Sequence, residues 1–401
     1  LDITLNDKQN NNISCDLVSI SNKKFNKLSL ENKLQAEKLK EKISNSKFLV
    51  DNIVKREKQR QPYSPYSNSL LLQDASSKLG FSPKYTNAIA QQLKDGDGLG
   101  GLGALITYHR TDSNRMKKSE VLKLRELISS SIGKNYVSEK EIIYKEKSKF
   151  VQQGHEAVTP TQLKRKPEDI KDKLSPDQYK LYDLIWKRTI ASQMKPSKSL
   201  ETLYYLKSND FLLKASGSIK TFDGFKKIYN FSDSKDDSQT LPNLEKNEKL
   251  ELKKLDIKQN FTKPPNRYSE AGLIKKLEEL GIGRPSTYVS IFTKLEKNSY
   301  INIKNKSLIP TGKGKILVKF LDGFFDKFVD YSFTADLEEQ LDLITESKLN
   351  WKNTLNKFLE ILNQTVDQVE KQSITQVIDK INENSSEILK EKDCRKCKDG
   401  K

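Results

Sequence analysis

The chain has 401 residues, 35% of them apolar and 31% charged, with 72 Lys and Arg against 54 Asp and Glu for a net charge of +18. That length allows two or three domains with sizeable cores, and the low apolar fraction assigns part of it to extended surface or linker. No apolar run nears the roughly 18 residues that span a bilayer, and three cysteines without a secretory pattern argue against export and for a reducing cytoplasm. The cation excess fits a polyanionic partner, nucleic acid before anionic membrane. A lysine-rich proteome gives the same total, and charge alone does not separate the two. The sequence starts at Leu1 rather than Met, so the expectation is an upstream beginning or a non-standard start codon.

In chain order, Ser14 to Ser21 reads as a strand, Leu30 to Ser44 as a Lys- and Glu-rich helix, and Phe48 to Glu57 as another strand. Gln61-Pro62-Tyr63-Ser64-Pro65-Tyr66 breaks the chain, because proline fixes its own φ and restricts the residue before it. Ser69 to Leu79 and Lys84 to Lys94 carry helical periodicity, and a glycine cluster follows. Ser119 is the expected cap of a helix to about Ser131, with Glu120 in its first turn. Ser175-Pro176-Asp177-Gln178 combines a cap, a proline at the first position and a capping-box Gln, and starts a helix carrying Tyr182, Ile185 and Trp186 toward Met194. Ser232 to Lys254 reads as an exposed charged loop. A helix from Glu270 to Leu280 closes at Gly281, a turn follows, and Ser286 is expected to cap a second helix to about Lys297. Short strands near Ile301 and Leu308 complete a winged-helix-like outline. Asp336 to Glu346 and Trp351 to Lys371 read as helices, and a polar tail runs from Ser373.

The chemically richest segment is Leu105-Ile106-Thr107-Tyr108-His109-Arg110-Thr111-Asp112-Ser113. Its apolar start reads as a strand delivering a tyrosine, two nitrogen bases and a carboxylate to one turn. A tyrosine hydroxyl has a pKa of about 10 and is a poor nucleophile at neutral pH. It needs a nearby cation to favour the phenolate, or a base. Along a strand, Arg110 and Asp112 share the side of Tyr108, and Arg110 can grip the attacked phosphate by a bidentate contact. An ordinary surface strand end accounts for the same letters, and the residue chemistry leaves both readings open. Gly96-Asp97-Gly98-Leu99-Gly100-Gly101 matches G-x-G-x-x-G, but a helix precedes it and a strand follows, the reverse of a dinucleotide fingerprint. Arg284, Ser286 and Thr287 place a cation and two hydroxyls at an expected helix start, where backbone N–H groups favour phosphate; a plain cap is the other reading. Cys394-x-x-Cys397 has the spacing of one half of a possible four-cysteine zinc site.

The order of these motifs resembles bacterial type IA DNA topoisomerases. The nucleophile segment is similar to that family's L-I-T-Y-M-R-T-D-S, with His109 in place of Met. A histidine there either alters phenolate formation or simply packs. Ser69-Leu70-Leu71-Leu72-Gln73 with Lys78-Leu79-Gly80-Phe81 resembles the segment ahead of the nucleophile. Gly154-His155-Glu156-Ala157-Val158-Thr159-Pro160-Thr161 resembles H-E-A-I-R-P-T, with Thr159 in place of Arg. Leu181 to Met194 resembles the L-Y-x-L-I-W-x-R-x-x-A-S-Q-M helix. Arg267-Tyr268-Ser269-Glu270-Ala271 and the run Leu280 to Tyr288 resemble Y-T-E-A and L-G-I-G-R-P-S-T-Y. Val329 to Ala335 with Glu338-Glu339 resembles V-D-Y-x-F-T-A-x-x-E. The resemblance covers the chain to about residue 365.

This resemblance implies an α+β, mainly helical fold: the type IA toroid without its N-terminal Toprim domain. The implied parts are a β-rich gate arch over 1–65 and 196–255, a nucleophile domain over 66–195 and a helical base over 256–372. It implies Tyr108 as nucleophile with Arg110 beside it, and DNA contacts from His155, Asp112, Arg284, Ser286, Thr287 and Arg267. It also implies an ATP-independent enzyme that cuts one strand through a 5′-phosphotyrosine, passes a strand and reseals, relaxing negative supercoils. The implied Mg²⁺ sits on acidic residues of the Toprim domain, and nothing before Tyr108 resembles that domain. Cys394 and Cys397 look like the first knuckle of a zinc ribbon, and zinc binding is not expected from this chain alone. Expected partners are single-stranded and negatively supercoiled DNA and a separate Toprim fragment, for a monomer in the bacterial nucleoid. The competing expectations are a noncatalytic single-stranded DNA-binding remnant and a decatenating paralogue of the same family.

Overall fold

Alternation of apolar and charged residues builds the first of two units into which the computed structural model divides. Residues 1–26, 28–145, 156–231 and 239–383 are described. The first unit comprises residues 1–63, 124–142 and 190–265. It holds β1 Asp2–Asn6, β2 Asn12–Ile20, β3 Lys23–Lys24, α1 Lys33–Ser44, β4 Phe48–Arg60, β5 Ser197–Lys207, β6 Phe211–Phe222 and β7 Lys249–Asp256. The strands pair in the order β1-β7-β4-β5-β6-β2-β3, and β1 also pairs with β2. Six strands therefore close on themselves, which removes the free edges that invite aggregation. Leu5, Ile13, Phe48, Val50, Leu206 and Leu213 fill the interior, and α1 adds Leu39 and Ile43 to the same core.

The strand β7 corrects the expected loop over Ser232 to Lys254. Its sequence Lys-Leu-Glu-Leu-Lys-Lys-Leu-Asp alternates with one residue too many. The pairing with β1 shifts register between Thr4 and Leu5, passing from Lys254 to Leu252. That bulge absorbs Lys253, so Leu250 and Leu255 both stay buried. The dense charge disguised a strand whose charged side chains face outward. Residues 232–238 of the same stretch lie outside the described residues.

The second unit comprises residues 64–123, 143–189 and 266–401. Its helices are α2 Asn68–Asp74, continued by a wider π turn over Ala75–Leu79, and α3 Pro83–Asp95. Next come α4 Lys118–Ser131 and α5 Pro176–Ala191, each with residues in both units. Then follow α6 Glu270–Leu280, α7 Tyr288–Lys297, the hairpin β8 Ile301–Lys304 and β9 Ser307–Pro310, and α8 Gly312–Phe324. The last are α9 Asp326–Val329, α10 Tyr331–Thr345, α11 Trp351–Glu370 and α12 Ile374–Glu383. Residues 124–142 thus group with the sheet unit, and the expected base domain groups with the nucleophile segment.

Local chemistry sets these boundaries. Ser82 caps α3 ahead of Pro83, and Gly96 ends it in the left-handed region. Ser175 and Gln178 exchange hydrogen bonds at 2.9 and 3.2 Å, the expected capping box of α5. Three expected boundaries move. Ser119 lies inside α4, which starts at Lys118. Ser286 caps nothing: residues 284–287 form a turn closed by Thr287 N–H to the Arg284 carbonyl at 2.8 Å, and α7 starts at Tyr288. The tail after Ser373 holds α12, where Lys380 lies 4.6 Å from the Phe324 ring.

One buried ionic node ties α2 to α5. The Asp74 carboxylate accepts from Tyr66 at 2.8 Å, Lys78 at 2.8 Å and Arg188 at 3.1 Å. Arg188 also donates to the Ser64 carbonyl at 2.6 Å and covers the Tyr66 ring at 4.8 Å. Arg188 is buried, so removing its charge leaves a partly buried carboxylate short of one partner. Arg188→Met is expected to cost about 3 kcal/mol, the low end for a broken buried pair because Lys78 remains. Urea denaturation of the two proteins checks it.

Candidate active site

Tyr108 stands at the end of an extended segment fixed from both sides. Leu105 N–H donates to the Leu93 carbonyl at the last turn of α3, at 2.8 Å. On the other side Thr107 N–H donates to the Thr159 carbonyl at 2.9 Å, and Thr161 N–H to the Leu105 carbonyl at 3.0 Å. The Thr107 hydroxyl donates to the Ala157 carbonyl at 2.9 Å and accepts from Thr159 N–H at 3.0 Å. These bonds replace the expected strand: only Ile106 forms a bridge, to Pro160. The glycine cluster lets the chain turn back on α3. A Cβ at Gly96 would lie 2.8 Å from the Gly103 carbonyl carbon, so only glycine allows that approach.

Past the segment, α2 takes hold of the backbone. Asn68 N–H donates to the Thr111 carbonyl at 2.7 Å, and its side-chain amide donates to the His109 carbonyl at 3.0 Å and to Asn87 at 3.2 Å. Side chains then alternate. Tyr108 and Arg110 are exposed, while His109 and Thr111 are buried. Tyr108 is 49% exposed, so its hydroxyl is open to an incoming phosphate while its backbone is not free to move. Asn68 was not singled out in the sequence; its neighbours in α2 carry only helical periodicity.

Two charges missed by the sequence reading also lie here. Lys94 pairs with Asp95 at 2.8 Å, and Gln91 donates to the same carboxylate at 2.5 Å. The hydrogen bond to Asp95, and then its charge, raise the Lys94 ammonium above its ordinary value. The Leu93–Leu105 bond is what brings this end of α3 alongside Tyr108, a tertiary effect that sequence spacing does not display.

Asp112 lines a small polar pocket with Ser69, Thr111, Glu278, Arg284 and Tyr288. Ser69 donates to Glu278 at 2.6 Å. Burial, and then Glu278, push the Tyr288 hydroxyl pKa up. Arg284 is held inside the protein: it donates to Asp342 at 2.6 Å and to the Gly283 carbonyl at 2.9 Å, with Glu338 at 3.7 Å. The Thr287 hydroxyl accepts from Arg284 N–H at 2.8 Å. Ser286, Thr287 and Arg267 are exposed. His155, Cys394 and Cys397 lie outside the described residues. Among the described residues, no group of three or more His, Cys, Asp or Glu side chains could hold a metal ion.

His109 is fully buried and neither ring nitrogen has a hydrogen-bond partner. Burial, reinforced by Arg110, lowers its pKa to about 4, with Asp95 opposing. The ring is therefore neutral near pH 7. As pH falls below about 6.5 the unfolded chain takes up a proton that the folded chain refuses until about pH 4. Stability is thus lost as pH falls through that window. His109→Met removes both the unpartnered nitrogens and the linkage. The variant is expected to exceed the parent by about 1–3 kcal/mol near neutral pH. The gap should widen by about 3 kcal/mol as pH falls from 6.5 to 4, measured by denaturant titration at several pH values.

The chain was compared with known proteins. A family profile described as DNA topoisomerase matches residues 1–356. A DNA topoisomerase 1 of Rickettsia felis is 41% identical over all of this chain and 53% of its own length. One from Campylobacter jejuni is 39% identical over 86% of this chain and 49% of its own. Full-length topoisomerase I from Thermotoga maritima superposes with a TM-score of 0.75 at 34% identity, over 91% of this chain and 58% of that one. The chain spans about half the length of the curated relatives it matches. The superposition bears out the α+β, mainly helical fold of the type IA class. By profile, relatives and fold together, the chain belongs to the bacterial type IA DNA topoisomerase I family.

Proposed function

We propose that this chain carries the nucleophile of an ATP-independent type IA topoisomerase that opens and reseals one strand of DNA. The observation that carries this reading is the exposed Tyr108 side chain on a backbone pinned by Leu93, Ala157, Thr159 and Asn68. The Tyr108 hydroxyl oxygen attacks a backbone phosphorus. A phosphorus–tyrosine oxygen bond forms, the bond to the 3′ oxygen breaks, and the phenolic proton leaves as the 3′ oxygen gains one. The phosphodiester energy stays in the covalent link, so resealing by the 3′-hydroxyl needs no ATP. A strand passing through the gap before resealing relaxes negative supercoils.

Arg110, exposed two residues beyond Tyr108, is the group proposed to hold the attacked phosphate. A fixed donor there counts most as charge develops on the phosphoryl oxygens. His155 is proposed as a further phosphate donor. Asp112, Arg267, Ser286 and Thr287 are proposed to position the strand, a task that fixes register and carries little sequence information. Arg284 can take part only by leaving Asp342. Mg²⁺ would aid resealing from an acidic Toprim domain, and no step is assigned to it among these residues. Among the described residues no helix is long and apolar enough to cross a membrane.

The test is covalent trapping. The chain is mixed with a 3′-labelled single-stranded oligonucleotide and Mg²⁺, denatured in SDS, and label on protein is measured, alone and with a Toprim fragment supplied in trans. An adduct is expected in at least the second mixture. Tyr108→Phe is expected to abolish it and Arg110→Ala to slow it about 100-fold. No adduct in either mixture, with DNA still bound, would overturn the reading in favour of a noncatalytic DNA-binding protein.

A further inference from the structure

One end of the sheet in the first unit gathers aromatic rings and cations without any role in the chemistry above. Arg60 of β4 pairs with Ser197 of β5, and the next residue of β5, Lys198, pairs with Phe222 of β6. Three adjacent strands therefore end side by side. After Phe222 the chain turns through Gly224–Lys227. A Cβ at Gly224 would lie 2.4 Å from the Pro196 carbonyl oxygen, so the turn is pressed onto the start of β5. Phe225 N–H donates to the Lys195 carbonyl at 2.9 Å, and Lys195 N–H donates to the Tyr136 carbonyl at 2.8 Å. These bonds bring the Tyr136 loop to the same place.

The rings form two groups. Tyr136 stacks on Phe222 with centroids 5.1 Å apart and planes 28° off parallel, and the Lys227 ammonium sits 4.3 Å from the Tyr136 centroid. Tyr63 meets Phe225 edge-on at 5.6 Å and Tyr229 at 5.9 Å, with the Arg60 guanidinium 5.3 Å from its centroid. Phe225 and Tyr229 are buried and anchor the group. Tyr63, Tyr136 and Phe222 are half-buried, and Arg60 and Lys227 are exposed. Lys134 and Lys220, both exposed, flank them. The local carboxylates are Glu57, paired with Lys198 at 2.9 Å, and Asp223. Cations are in excess around rings that present polarisable faces.

We propose that this end of the sheet is a second binding surface for single-stranded DNA, with bases on Tyr136 and Tyr63 and phosphates on Lys227 and Arg60. Aromatic faces serve unpaired bases of any sequence, and cations beside them track the backbone. Paired bases offer no free face to such a platform, so the occupant is a single strand rather than a duplex. Lys227 and Arg60 now sit over the rings where bases would stack. An exposed cation–π contact is weaker than base–aromatic stacking, so Lys227 can swing off the Tyr136 ring onto a neighbouring phosphate, and Arg60 exchanges its hydrogen bond to the Tyr63 hydroxyl for one to phosphate. The proposal does not rest on the Tyr108 chemistry, and its test uses a chain that cannot form the phosphotyrosine.

The experiment photo-cross-links the full chain carrying Tyr108→Phe to an oligodeoxynucleotide containing 5-iododeoxyuracil, and maps the labelled peptides. Cross-links are expected at Tyr136 or Tyr63. In the same background Lys227→Gln, at an exposed position, is expected to lower the slope of log affinity against log salt by about 0.7. Tyr136→Leu is expected to weaken binding about 10-fold, while Tyr136→Phe, which keeps the stacked ring, leaves it unchanged. Cross-links confined to the peptides holding Tyr108 or Arg284, with the Lys227→Gln salt slope unchanged, would overturn the proposal. So would a duplex of the same length competing as well as the single strand.

Discussion

The candidate site depends on the hydrogen bond from Leu105 N–H to the Leu93 carbonyl and its counterparts across residues 157–161. They hold a short extended segment that has no sheet to belong to. A three-residue stretch outside a ladder would otherwise exchange its bonds with water and sample many conformers, at roughly 1–2 kcal/mol of entropy per residue fixed. Here the backbone groups are satisfied on both sides, and the first exposed side chain beyond them is Tyr108. The glycines at 96–103 make the return to α3 sterically possible, and Asn68 fixes the exit. The placement of Tyr108 comes from backbone bonding, which leaves its side chain exposed.

Charge is distributed by a different logic. The net excess of cations suits a polyanion over the whole surface, yet the cation singled out by its position before a helix, Arg284, is spent inside the protein. Its bond to Asp342, with Glu338 alongside, ties the turn between α6 and α7 to α10. A guanidinium only 16% exposed and already facing two carboxylates must break a charge-assisted bond before it can reach DNA. Arg188 on Asp74 is a second buried arginine of the same kind. Total charge therefore overstates the number of cations free at the surface, since Arg188, buried, and Arg284, half-buried, both face carboxylates.

Much of the fold was legible because its elements carry local signals. Ser175 with Gln178 marks a helix start through reciprocal capping bonds, and Gly281 after Leu280 marks a helix end through its left-handed backbone. The strand β7 was hidden because an extra lysine breaks its alternation, and the bulge that repairs it requires β1 as a partner. Ser286 misled because a hydroxyl after proline looks like a cap, while Thr287 closes the turn instead. At the candidate site, residue chemistry left the Tyr108 segment open and the family pattern singled it out. Lys94, Asp95 and Asn68 were not legible, since their roles arise from α2 and α3 meeting a segment many residues away.

His109 shows how such a site distributes its costs. Where the family pattern has an apolar methionine, this chain buries an imidazole with two unpartnered nitrogens. A buried polar atom without a partner costs free energy that water would have supplied, and the cost falls on folding. It does not fall on the exposed side, because alternation points His109 inward while Tyr108 and Arg110 point outward. The hydrogen bonds that pin the segment involve its backbone and the Thr107 hydroxyl, and the imidazole contributes none of them. A substitution that burdens the core can therefore persist directly beside Tyr108, provided the backbone bonding that aims Tyr108 is untouched.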